Sequence, residues 1–336
     1  MKKILKFIKY SLTLVVAISG LYLINLFLMK PVSIDHYLGK EVVMEMLDSP
    51  EMLTYLGILD RFNFITNHQS KLSDEGLEEL EEGLEEMRQA KKILESYDDS
   101  QLSQQQSISK KIALFDLNNN IKQQEQFPFH NFPLNQIGGI HLNMIQFMTD
   151  IHPIRSGSEA AAYIDRLDML DEVFESQMEI LNAQKEAGIF PPRFVFDHVI
   201  RQLSEFLEGS KGSNPIRDVF QRKISEIDLS EEAQAELMSD LDSAMQTSVK
   251  PGFNLLLDFM METLPMANPN DGAWSLPNGD EFYALRLKAQ TTTDYTAEEI
   301  HNIGLSEVDR ISKRMQAILS ELNYGDNLNV GEMMNK

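Results

Sequence analysis

The chain contains no cysteine among its 336 residues. That absence excludes disulfides, thiol nucleophiles, thiolate metal sites and the acylated cysteine of a lipoprotein together. Cations are also scarce: 30 lysines and arginines face 52 aspartates and glutamates, a formal net charge of −22. Five of those lysines (Lys2, Lys3, Lys6, Lys9, Lys30) fall in the first thirty residues, which hold no acid. Residues 31–336 therefore carry 25 against 52, or −27. A surface of that sign repels phosphate backbones and excludes nucleic acid as a partner. It promotes solubility and suits neutral or basic substrates. Sustained period-two alternation is missing, so strands are sparse, and no repeat of fixed period occurs. No Gly-x-Ser-x-Gly, Gly-x-Gly-x-x-Gly, phosphate-cradling loop or His-Glu-x-x-His occurs either. The one Glu-x-x-His, Glu298 to His301, falls short of the two such pairs that a di-iron bundle needs. These motifs name no catalytic residue and no metal ligand.

What is present is helical periodicity, with enough apolar residues (43%) to fill a sizeable core. Residues 11–29, SLTLVVAISGLYLINLFLM, form an uncharged run just long enough to span a bilayer as a helix. Lysines precede it, so the expected topology is a cytoplasmic segment 1–10, a transmembrane anchor 11–29 and an extracytoplasmic, periplasmic body 31–336. A cleaved signal peptide with a small-residue site at Ala17-Ile18-Ser19 is the competing reading. Ser49-Pro50-Glu51 opens a helix. Leu77, Leu80, Leu84, Met87 and Leu94 mark another between Ser73 and Tyr97. Ile108, Ile112 and Phe115 suggest a third, and Ile140, Met144, Phe147 and Met148 a fourth after Gly138-Gly139. From Ser158 to about Gly188 the spacing predicts one long amphipathic helix, and Phe194 to Leu207 resumes it. The stretch 209–215 reads as a linker. Ser230-Glu231-Glu232 opens a helix that Pro251 must kink or end.

The most informative stretch is Leu276–Met315. Phe282, Leu285 and Ala289 have helical spacing, Thr291-Thr292-Thr293-Asp294 interrupts it, and Thr296 with Glu299 forms a capping box for the next helix. Ile300, Gly304, Val308, Ile311 and Met315 make the apolar face of that helix. Tyr283, Arg286, Thr292, Thr293 and Asp294 are the candidate residues for lining a substrate cleft. The competing reading is local, with threonines and Asp294 capping helices.

The Tyr, Thr-Thr-Thr-Asp, Glu-Glu-Ile-His, Gly-Leu, Glu-Val series within Leu276–Met315 resembles the bacterial family catalogued as domain of unknown function 885. Asn135-Gln136-Ile137-Gly138-Gly139 and Tyr163–Leu170 are similar to earlier landmarks of that family. The resemblance implies an all-α, zinc-metallopeptidase-like protein acting on a peptide or protein, with zinc as its cofactor. The family's metal-binding His-Glu and Pro-Gly-His-His stretch is not found here. The expectation is therefore a chain corresponding to the family's first half, ending at GDNLNVGEMMNK without its metal site and inactive as given. Its partner would be the missing half or some other covering surface. A non-catalytic, membrane-tethered helical binding or scaffold module is the alternative.

Overall fold

The computed structural model describes residues 2–209, 213–322 and 331–332. The chain divides into two units, Met1–Pro277 and Asn278–Lys336. The first contains helices α1 (Lys2–Leu28), α2 (Ile34–Asp48), α3 (Pro50–Leu56), α4 (Asn63–Thr66), α5 (Leu77–Glu95), α6 (Gln104–Gln126) and α7 (Ile140–Gln146). These are followed by α8 (Gly157–Leu167), α9 (Leu170–Glu186), α10 (Arg193–Glu208), α11 (Pro215–Ser225), α12 (Glu231–Ala244) and α13 (Lys250–Thr263). Among the described residues the only β pairing is a single bridge, Pro192 with Asn268. The fold is all-α.

The structure does not support the expected transmembrane anchor. Among the described residues no helix is long and apolar enough to cross a membrane. Helix α1 begins at Lys2, takes in three further lysines, and carries Thr13, Ser19, Gly20 and Asn25 among its apolar residues. Asn25 is structural: its Nδ2 donates to Lys30 O (3.0 Å) and its Oδ1 accepts from Val32 N (3.1 Å), which holds the turn into α2. The single-pass arrangement built on residues 11–29 falls with the anchor.

The main core is made by α8–α13. Gly252 of α13 lets the helix approach α9 closely: a Cβ there would meet Phe174 Cδ2 at 2.9 Å and Leu170 O at 3.3 Å. Phe253 then packs on Phe174 and stacks on Phe206, with ring centroids 5.3 and 4.1 Å apart. Pro251 does not end the helical path. It sits in the first turn of α13, immediately after a wide π-helical turn at Met245–Val249 that absorbs the missing N–H. A smaller cluster (Ile34, Tyr37, Leu94, Tyr97) packs α2 on the α5–α6 pair.

The long helix expected from Ser158 is two helices, broken at Asp168-Met169. A tertiary contact holds the break: Ser248 Oγ accepts from Asp171 N (3.0 Å) and donates to Asp171 Oδ1 (2.7 Å), capping the start of α9. The helix expected from Ser73 starts only at Leu77, which leaves 71–76 extended. Of the expected linker, residues 210–212 lie outside the described residues. So does the closing stretch 325–336, apart from 331–332.

The second unit consists of α14 (Gly279–Thr291) and α15 (Ala297–Glu321). As the sequence predicts, Thr296 Oγ1 accepts from Glu299 N (3.2 Å) while Glu299 Oε2 accepts from Thr296 N (2.7 Å).

Candidate functional site: a cleft beside helices α7 and α9

One edge of the cleft is the extended segment 71–76, which three side chains hold in place. Ser49 caps α3, so Glu51 falls in its first turn with the carboxylate pointing away from the helix axis. That carboxylate accepts from Ser73 N (2.8 Å), Ser73 Oγ (2.7 Å) and Ser49 Oγ (3.4 Å). From α9, Gln177 Nε2 donates to Glu75 O (2.8 Å) and to Glu75 Oε2 (3.1 Å). From α8, Arg166 has no solvent exposure. Its Nε donates to Lys71 O (2.7 Å), its Nη2 to Thr54 Oγ1 (3.1 Å) and to His68 O, and its guanidinium lies 4.9 Å from the Phe147 ring. Two backbone carbonyls and one hydroxyl thus accept from the charged fork.

The opposite edge is the Asn135–Gly139 turn. Asn135 Oδ1 accepts from Ile137 N (3.0 Å) and Gly138 N (2.8 Å), an Asx-type turn. Gly139 permits it, because a Cβ there would lie 2.5 Å from Asn135 O and 2.8 Å from His141 Cε1. Gln202 Nε2 donates to Gln136 O (3.1 Å), and Gln202 Oε1 faces His141 Nε2 (3.0 Å).

Between these edges the cleft has two lobes of about 410 and 340 Å³ that share Glu75, Ile140 and Gln177 as lining residues. Met144, Phe147, Val173, Phe174 and Ile180 give an apolar floor. Glu51, Asp74, Glu75 and Glu79 line the walls, with no lysine, arginine or histidine among the lining residues. Crowding by protein atoms raises the Glu75 carboxyl above its usual range, and the charges of Glu51 and Asp74 add to this. Burial dominates at the histidines behind the cleft. His141 is lowered, and His152 is pushed down to about 4 by burial, with Arg166 and Lys223 adding repulsion. Both are therefore neutral near pH 7.

Of the residues singled out in sequence, Tyr283 is exposed and Arg286 half-buried on α14. Thr292 caps that helix in the left-handed region (φ 55°), its N–H bonded to Lys288 O at 2.9 Å. Thr293 Oγ1 lies 2.9 Å from Thr291 Oγ1, and Asp294 accepts from Lys288 Nζ (2.7 Å). These residues belong to the second unit, where Thr292 caps α14, the Thr291 and Thr293 hydroxyls meet each other and Asp294 pairs with Lys288. Sequence reasoning missed the residues that build the cleft in the first unit: Glu51, Glu75 and Gln177. Arg166 lies inside the Tyr163–Leu170 landmark and Asn135–Gly139 is the other, so resemblance pointed at two of its supports. Zinc does not fit the residues present. Among the described residues no three His, Asp or Glu side chains converge where they could hold a metal, and no chemical step is derived through one.

Among curated proteins none matches this chain. Among solved structures it is similar to one described as the putative lipoprotein from Colwellia psychrerythraea. The two share 21% identity at a TM-score of 0.74, over 88% of this chain and 53% of that one. The likeness establishes a shared fold, and the chain spans about half the length of that neighbour. Residues 50–336 match the family model described as bacterial protein of unknown function, DUF885, and the chain belongs to that family.

Proposed function

We propose that this chain is an extracytoplasmic, membrane-associated helical module whose cleft beside α7 and α9 binds a peptide segment carrying basic and apolar side chains. The observation that carries the reading is the composition of the cleft: an apolar floor under four carboxylates, with no cation among the lining residues. Ligand sites are concave and mostly apolar, with a few convergent polar groups that fix orientation. Here those groups are acceptors of one sign, which favours ammonium and guanidinium donors and opposes anionic ligands. The extracytoplasmic placement rests on the neighbour described as a putative lipoprotein. Since this chain has no cysteine to acylate, its membrane contact is assigned to exposed apolar residues of α1 such as Leu14, Ile18 and Leu21.

Fluorescence anisotropy of labelled peptides on the purified full chain tests the binding. A peptide alternating arginine with phenylalanine should bind, and more weakly as salt rises. Its glutamate counterpart should not bind. Glu75→Gln should weaken binding about tenfold, the scale of one charge-assisted hydrogen bond. Equal binding of the acidic peptide, or no response to Glu75→Gln, would remove the proposal. The zinc-peptidase activity implied by family resemblance is proposed of the wider family alone: the purified chain should bind no stoichiometric zinc, and one tightly held zinc per chain would overturn that.

A further inference from the structure

The segment 71–76 has extended backbone angles at both ends: Lys71 has φ −126° and ψ 151°, and Gly76 has φ −79° and ψ −170°. In an extended chain the N–H and C=O of one residue point to the same side, and those of the next residue to the other. Between Lys71 and Glu75 every backbone bond is made by an odd-numbered residue. Lys71 O accepts from Arg166 Nε (2.7 Å), Ser73 N donates to Glu51 Oε1 (2.8 Å), and Glu75 O accepts from Gln177 Nε2 (2.8 Å). Among the described residues, the N–H and C=O groups of Leu72 and Asp74 have no hydrogen bond within the chain. Gly76 N donates to Glu79 Oε2 (3.1 Å), which closes this edge where α5 begins.

A residue with both backbone groups free is what an added strand needs, since facing residues in an antiparallel ladder exchange both bonds. Unpaired edges recruit further chain for the same reason. The edge is also set before a ligand arrives. Glu51, Arg166 and Gln177 grip it from α3, α8 and α9, so pairing has only the ligand to order, and that favours binding. Asp74 is exposed and lines the larger lobe of the cleft beside Glu75 and Glu79. A helix laid there would spend its N–H and C=O groups on its own internal bonds. An extended chain offers them.

We propose that the cleft takes its peptide as an added β-strand, whose main chain pairs with the Leu72–Asp74 edge while its basic side chains meet the carboxylates. This rests on the peptide-binding reading of the cleft and adds the conformation of the ligand. Main-chain bonds then supply affinity whatever the sequence, and selection is left to alternate side chains.

The test uses the peptide alternating arginine with phenylalanine in two further forms, one N-methylated at every arginine and one at every phenylalanine. Methylation removes main-chain donors and leaves the charges and side chains in place. Only alternate residues of an extended ligand face the edge, so by anisotropy on the full chain one form should bind about tenfold more weakly than the other. Equal affinity of the two forms would overturn the strand pairing. If the unmethylated peptide still bound and still responded to Glu75→Gln, the reading of the cleft would stand without it. No binding of the unmethylated peptide would overturn both. Amide exchange gives a second measure. Saturating peptide should slow exchange at Asp74 about tenfold, and leave Ser73, whose N–H Glu51 already holds, unchanged. Unaltered exchange at Asp74 in the bound state would also overturn the pairing.

Discussion

Replacing Arg166 by methionine tests the account of the cleft most directly. Methionine fills much of the same volume and removes every donor. The guanidinium now satisfies Lys71 O, His68 O and Thr54 Oγ1, and it is fully buried. A buried cation costs several kcal/mol in lost hydration. That cost shows in the Arg166 pKa, pushed down to about 10 by burial and only partly offset by the charge of Glu51. Removing the charge recovers the penalty. What remains is the loss at its partners: two buried carbonyls without a donor, at about 1–3 kcal/mol each. The contact with Phe147 is worth about a further 1 kcal/mol. We expect Arg166→Met to destabilise the protein by about 3–5 kcal/mol, the sum of two unpaired carbonyls and the lost ring contact. Against a total of about 5–15 kcal/mol that is a large fraction.

The distribution of the loss matters more than its size. Arg166 ties down the carbonyls of the segment that forms the cleft edge, so amide exchange at 69–76 should accelerate more than exchange in α9 or α13. Peptide binding should weaken even where the variant remains folded. Arg166→Lys keeps the charge but offers no planar fork, and should fall between wild type and Arg166→Met. Urea denaturation gives the global term and hydrogen exchange the local one. A loss below about 1 kcal/mol, with exchange at 69–76 unchanged, would refute the argument that Arg166 positions the cleft.

Two further predictions concern pH and strain. His152 is pushed down to about 4 in the folded protein, whereas an unfolded histidine titrates at about 6.5. Between those values the unfolded chain binds more protons, so stability is fully present above about pH 6.5 and falls by about 3 kcal/mol towards pH 4. His141 and His68, also lowered by burial, act in the same direction. Denaturant titrations from pH 7.5 to 4.5 should show this slope, and it should flatten in His152→Phe. In the second unit Thr292 holds φ 55° as a β-branched residue, a conformation that costs about 1–2 kcal/mol outside glycine. Thr292→Gly relieves that strain at an entropic cost of about 0.5–1 kcal/mol. It should slow amide exchange around 288–296, and faster exchange would show that the threonine side chain contributes there.

How much of this was legible in the sequence depended on whether a feature is local. Capping and turn chemistry acts within a few residues. Ser49-Pro50 and the Thr296–Glu299 box therefore fold as the sequence predicts. Features whose cause lies far along the chain were invisible. The break between α8 and α9 depends on Ser248, the extended segment 71–76 on Arg166 and Gln177, and the passage through Pro251 on a π-helical turn. Residues 11–29 fail for another reason. Absence of charge was read as continuity of apolar surface, although Asn25 in that run bonds the backbone at Lys30 and Val32.

The candidate cleft shows the same division at the level of function. Its carboxylates come from positions with no motif between them: Glu51 from the first turn of α3, Glu75 from an extended segment, Glu79 from the start of α5. Each sits in a stretch where an acid has an ordinary role, since acids favour helix N-termini and EELEEGLEE reads as a solvated face. Only the packing of 71–76 between α3 and α9 turns these three unremarkable acids, with Asp74 beside Glu75, into one wall. The sequence did contain a trace of that packing in Arg166. An arginine on the α8 stripe that carries Tyr163, Ile164 and Leu167 breaks the apolar pattern at a position where burial costs several kcal/mol unless carbonyls meet it. A charged residue on a buried face therefore implies an irregular, carbonyl-presenting segment packed against it. Here that segment is the edge of the cleft.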